Sequence, residues 1–231
     1  MKSLIRSMLL VGLGTGIAST VLADGQAHFQ TADRSMPALM FSWQTTERSR
    51  LDTPNRPAHV LALNGRAWGV ATVAGQPVAM DLEQLAALLG QHDAMARLGP
   101  EAVVPSQITA LEATGQAEMI AGVEGERYRV SWVDSEDRAR IDEAVLTDAP
   151  LVIEMQKALL DGMTRAIARG TGVGGHEAAQ RELERRGLAV LRFGDDYRLE
   201  SISGDIQPDE RFDLPSNPID LRQLMRGVMG N

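Results

Sequence analysis

The chain has 231 residues, a formal charge of −8 and no cysteine. Net acidity excludes a nucleic-acid surface, because phosphate recognition needs concentrated basic charge. The missing cysteine excludes disulfides, thiol catalysis and lipidation through a cysteine. At this length a chain buries a core without covalent staples.

Lys2 and Arg6 precede an apolar run from Met8 to about Ser19, and Val21-Leu22-Ala23 ends it in small residues before Asp24. A basic start, a short apolar middle and a small-residue cut predict a signal peptide over 1–23 and a periplasmic, exported chain. Removing Lys2 and Arg6 with it takes the formal charge from −8 to −10. No other apolar run is long enough for a transmembrane span, and residues 24–231 read as a single domain.

Ala27 to Thr31 predicts a short strand. Leu39, Phe41, Trp43 and Thr45 then alternate with Met40, Ser42 and Gln44, a half-buried strand whose polar end extends toward Arg50. Pro54 and Pro57 interrupt it. Val60 to Leu63 and Trp68 to Val73 flank Asn64-Gly65, the dipeptide best suited to a tight hairpin, and Ala74 to Pro77 turns the chain again before Val78 to Met80. Asp81 with Gln84 has the spacing of a helix N-terminal capping box ahead of Leu82, Leu85, Ala86 and Leu89. A second helical piece follows over 93–98 and stops at Gly99-Pro100. Ile108 to Ala113 resumes the sheet.

From Thr114 to Gly170 the pattern predicts a turn, a hairpin and a long amphipathic helix. Tyr128, Val130 and Trp132 alternate with Arg127, Arg129 and Ser131; an acidic turn over 134–137 leads to a return strand carrying Ala139, Ile141 and Val145. Over 151–169 the period changes, and Val152, Met155, Leu159, Met163 and Ala166 share one helical face. That stripe is expected to cover the inward face of the hairpin just formed. Beyond a glycine-rich run at 170–175, Glu177 to Arg186 reads as a polar helix with i, i+4 ion pairs. Leu188 to Phe193 and Tyr197 to Ile202 form a hairpin about Gly194-Asp195-Asp196, Phe212 and Leu214 a short strand, and 218–229 a terminal helix begun by Asn217-Pro218.

No catalytic constellation emerges. Gly170, Gly172 and Gly175 match G-x-G-x-x-G in letter, but a helix rather than a strand precedes them. His176-Glu177 begins H-E-x-x-H, yet Gln180 stands where the second zinc ligand must be. His28, His59 and His92 have no ligand spacing, the acidic turns at 134–137 and 195–196 lack the spaced oxygens of a calcium loop, and no G-x-S-x-G elbow occurs. The expectation is a non-enzymatic protein without metal or cofactor.

The run Thr114-Gly115-Gln116-Ala117-Glu118-Met119-Ile120-Ala121-Gly122, followed by Tyr128-Arg129-Val130, and Asp148-Ala149-Pro150-Leu151 leading into Glu154-Met155-Gln156-Lys157-Ala158-Leu159, resembles the periplasmic family DUF4412. The resemblance covers residues 37 to 215 and departs from the family pattern at Gly125, near where many relatives carry a cysteine. It implies the α+β fold of the LolA and LolB lipoprotein carriers: an antiparallel, strongly curved incomplete β-barrel with helices packed on the concave face, here 82–98 and 151–169, with a helical insertion near 151–186. Trp43, Met80, Leu85, Tyr128, Trp132, Met155, Leu159 and Met163 are the residues expected to line its hydrophobic hollow, methionine suiting a wall that repacks about a guest. The expected ligand is a lipid or acyl chain. The alternative is an envelope protein-protein interaction module whose core is filled by its own side chains.

Overall fold

A computed structural model describes residues 24–31, 38–89, 105–134, 136–164, 177–216 and 218. The expected leader, the helical piece at 93–98, the helix end at 165–169, the run at 170–175 and the terminal helix beyond Pro218 lie outside them. The strands are β1 (Gly25–Thr31), β2 (Leu39–Thr45), β3 (Arg48–Asp52), β4 (Ala58–Leu63), β5 (Arg66–Val73), β6 (Gln76–Asp81), β7 (Gln107–Ile120), β8 (Val123–Val133), β9 (Ala139–Thr147), β10 (Ala189–Phe193) and β11 (Tyr197–Ser203). The helices are α1 (Leu82–Leu89), α2 (Pro150–Lys157), continued by a π-helical segment (Ala158–Thr164), and α3 (Glu177–Arg186).

All eleven strands form one open antiparallel sheet in the order β6-β5-β4-β3-β2-β1-β11-β10-β9-β8-β7. Every strand pairs with its neighbour in sequence except β6 with β7, and the first strand pairs with the last. The strand order is therefore that of an up-and-down meander whose first and last strands meet inside the sheet, with β6 and β7 as its edges. Successive antiparallel pairings along an odd number of strands leave β6 and β7 pointing the same way. The chain from Leu82 to Ser106 connects these two edges, and α1 begins that crossover.

Turn chemistry fixes the meander. Asn64-Gly65, Ala74-Gly75 and Ala121-Gly122 all adopt positive φ at both positions, which matches the right-handed twist of flanking strands. The expected long strand from Leu39 toward Arg50 instead folds back at Thr46-Glu47, and β3 pairs with β2. The sheet resumed at Gln107 runs through Thr114 to Ile120, with irregular register between Ala113 and Ala117.

Register assigns the side chains to two faces. On one lie Gly25, Ala27 and Phe29 of β1, Leu39, Phe41 and Trp43 of β2, Ser49 and Leu51 of β3, Val60 and Ala62 of β4, and Val145 of β9. Val152, Met155, Ala158 and Met163 of α2 and its continuation join that cluster, as does Leu82 of α1. On the opposite face, Val130, Trp132, Ala144 and Leu146 pack against Leu183 of α3. The long helix therefore does not cover the Tyr128, Val130 and Trp132 face of its own hairpin as the pattern had suggested. It crosses to β1–β4, and the shorter α3 takes the hairpin face.

The remaining part of the opposite face is crossed by the segment after β11. Phe212 and Leu214, expected in a strand, are instead part of this strap, which contains a 3-10 turn (Asp209–Phe212). Phe212 is buried beneath the Arg48 guanidinium, and Leu214 packs against Leu61, Val70 and Ala79. Arg211 donates to Ser42 Oγ at 3.1 Å and to Asp52 at 3.1 Å, while Arg50 donates to the Arg211 carbonyl at 3.0 Å. His59 pairs with Asp52 in register; burial and the nearby Arg50 lower its pKa, opposed by Asp52.

Candidate ligand site beneath the crossing helix

α2 starts without a side-chain cap. The Ala149 carbonyl accepts the Val152 and Ile153 N–H groups at 3.1 Å each, and Pro150 occupies the first turn, where a missing N–H costs nothing. Gln156 accepts the Val190 N–H at 2.7 Å, clipping the helix to β10 beside its bulge. From Ala158 to Thr164 the helix widens to π geometry, a rare conformation that recurs at functional sites. The Thr164 hydroxyl donates to the Leu159 carbonyl at 3.0 Å, and Gln180 of α3 donates to Asp161 at 3.2 Å. Gln180, the residue that broke the zinc pattern, is thus a buried tie between α3 and the π segment.

Gly162 makes this geometry achievable. A Cβ placed on it would lie 2.1 Å from the Thr46 carbonyl oxygen and 3.7 Å from Ser49 Oγ, so only glycine lets the segment rest on the β2–β3 turn. Opposite it, Ser49 points into the apolar cluster. It is 0% exposed, and its hydroxyl has no hydrogen-bond partner. Its cross-strand neighbours are Trp43 and Ala62. At the far side of the same cluster the Trp43 indole lies over Gly25, where a Cβ would come within 2.3 Å of the ring.

Of the eight residues expected to line a hollow, five meet here. Trp43, Met155 and Met163 are each 1% exposed, and Leu85 and Leu159 pack partly buried against them. Met80 shares their face through its pairing with Gly69 but is not part of the cluster. Tyr128 and Trp132 do not join them: they belong to the opposite cluster, where Trp132 donates to Asp142 at 2.8 Å and meets Phe193 edge to face at 5.8 Å. The capping-box expectation is also only half met. Asp81 accepts the Glu83 N–H at 2.8 Å and pairs with Arg66, but Gln84 Oε1 is buried without a partner.

Along the same face, beyond Val145, the sheet becomes polar. Glu118 accepts from Arg127 at 2.8 Å and from Arg192 at 3.4 Å, with Arg198 at 3.8 Å, and Arg192 also binds Glu143. The Arg192 hydrogen bond holds the Glu143 carboxyl below its ordinary range. A cleft of about 200 Å³ lies between α2 and the end of α3, lined by Ile153, Gln156, Lys157, Glu184, Gly187, Leu188 and Ala189. It contains none of the eight expected residues and is smaller than the roughly 300–1,000 Å³ of small-molecule pockets.

Among the described residues there is no cluster of three or more metal-ligating side chains and no helix long and apolar enough to cross a membrane. Searches with the chain find no matching family model, curated protein or solved structure. Ser49, Gly162, Gln156 and Arg211 were not singled out by sequence patterns. Only Gly162 had left a signal, as a glycine inside an otherwise helical run.

Proposed function

We propose that the protein is an exported, non-enzymatic carrier that holds a hydrophobic ligand, an acyl chain, inside a curved incomplete barrel of the LolA kind. The α2-covered face is the concave one in this reading, and α2 with its π segment is the plug that a guest displaces. The observation that supports it is the strand order, an open antiparallel meander in which the first strand pairs with the last, together with the apolar cluster that α2 covers. The resemblance of 114–122, 128–130 and 148–159 to the periplasmic family DUF4412, which implies the LolA fold, agrees with it. Apolar area removed from water contributes about 25 cal/mol per Å², so a guest that replaces Val152, Met155 and Met163 recovers what their displacement loses. Processed chain, purified without detergent and delipidated, is expected to take up a fluorescent acyl probe saturably near one per molecule. Absence of saturable uptake across repeated preparations ends this reading.

One observation favours a second reading. Trp43, Met155 and Met163 are sealed to 1% exposure, as in a core filled by its own side chains. The protein is then an envelope interaction module. Crosslinking in cells that yields one dominant protein adduct, with no lipid in the purified sample, supports it over the carrier.

A further inference from the structure

The apolar cluster beneath the π segment holds one hydroxyl with nothing to bind. Buried polar groups are almost always paired, because an unpaired one forfeits its hydration without return. Ser49 stands at a strand position flanked on its own face by Trp43 and Ala62, with Leu51 two residues on. Alanine or valine would fill that position without leaving a donor stranded. Its hydroxyl lies 3.7 Å from where a Cβ on Gly162 would stand, so lifting the π segment uncovers this atom.

We propose that Ser49 is the polar anchor of the hollow and that its hydroxyl donates a hydrogen bond to the carbonyl oxygen of an esterified acyl chain that replaces the π segment. The inference rests on the carrier reading and adds the ligand class to it. The surroundings select the ester over the free acid. The side chains recorded about Ser49 are apolar, Trp43 and Ala62 across the strands and Leu51 two residues on, and an ionised carboxylate seated among them would lose its hydration. An ester carbonyl is uncharged and needs a single donor, which a serine hydroxyl supplies.

The test uses processed wild type and Ser49→Ala, each titrated with methyl palmitate, palmitate and hexadecane, together with urea unfolding of both ligand-free proteins. Wild type is expected to bind methyl palmitate roughly three- to tenfold more tightly than hexadecane, the range of one net hydrogen bond, and palmitate more weakly than the ester at neutral pH. Ser49→Ala is expected to lose the ester preference, to keep hexadecane binding, and to unfold at the same or higher urea because a stranded hydroxyl is gone. Uptake without ester preference, or preference retained in Ser49→Ala, overturns the anchor and leaves the carrier standing. A clear loss of urea resistance in Ser49→Ala also overturns it, since the hydroxyl would then be paired in the closed protein. No uptake of any probe by wild type overturns the carrier and the anchor together.

Discussion

One face of one sheet behaves in two ways. Over β1–β4 it is apolar, covered by α2, and sealed around Trp43 and Met155; over β7–β9 the same face carries Glu118, Arg127 and Glu143 in a half-exposed ionic network. Both regions are built from antiparallel strands of one sheet, so strand pairing alone does not create the difference. The helix does. α2 leaves β9 and is clipped to β10 by Gln156, and from there it reaches toward β1–β4 rather than back over β8. Side chains under it are apolar apart from Ser49, while those beyond its reach stay solvated and are free to carry charge.

The sharpest way to break this comparison is to empty the sealed region. Trp43→Ala is expected to cost about 3–5 kcal/mol, since a large buried aromatic is removed and only part of the space collapses. Urea unfolding followed by circular dichroism measures it, and a loss below about 1 kcal/mol would mean the cluster is loosely packed. Gly162→Ala comes next. Its Cβ would meet the backbone of Thr46, which cannot move aside like a side-chain tip, and the expected cost is about 3 kcal/mol, the upper end for overpacking. If the segment instead lifts off to relieve the clash, the variant will take up the acyl probe faster than wild type does. That outcome would identify the π segment as the movable plug.

Much of the sheet was legible because its signals are local. Asn64-Gly65 specified a hairpin through positive φ, and alternation over 39–45 and 127–133 gave the strands and their faces. The cluster was less legible because faces do not say which helix will cover them. Trp43 and Met155 are remote in sequence and meet through the pairing of the first strand with the last, which no periodicity encodes. Tyr128 and Trp132 carried the same apolar pattern as Phe41 and Trp43, yet they lie under α3. Ser49 left no signal at all, since one serine in a strand reads as an outward polar residue until burial shows otherwise.

Titration gives effects of intermediate size on the face opposite the plug. Burial and Arg50 lower the pKa of His59 below its usual 6.5, so the unfolded chain binds more protons than the folded one just below that pH. Stability is therefore expected to fall as pH drops from about 6.5, and His59→Gln to flatten that limb of a pH series of urea midpoints. Asp134 acts at lower pH. Burial alone would raise its pKa, but hydrogen bonds from Arg138, Arg140 and the Glu136 N–H hold it below the usual 3.8. Its stabilisation is present above that value and is lost as pH falls toward the lower folded pKa. Asp134→Asn should therefore lose the acid-side slope between about pH 4 and 2, and an unchanged slope would remove Asp134 from the account.

In the ionic wing, Glu118→Gln is expected to cost about 1 kcal/mol or less, because Arg127 and Arg198 remain partly hydrated and screened. The contrast with Trp43→Ala is the comparison in quantitative form, and equal losses would erase it.

The smallest effect lies where Ala121 and Gly122 turn β7 into β8 with φ of 52° and 76°. Alanine resists that conformation because its Cβ crowds the following carbonyl, whereas asparagine tolerates it. The hairpin at Asn64-Gly65 already uses the favourable pair, and the two turns differ only in that first residue. Ala121→Asn is therefore expected to raise stability by about 0.5–1 kcal/mol. Ile120 is buried in the helix-covered cluster, and Ala121 and Val123 pack against it, so a stiffer turn is expected to change acyl-probe uptake as well. If the substitution stabilises the hairpin and leaves acyl-probe binding unchanged, this end of the cluster takes no part in holding the guest.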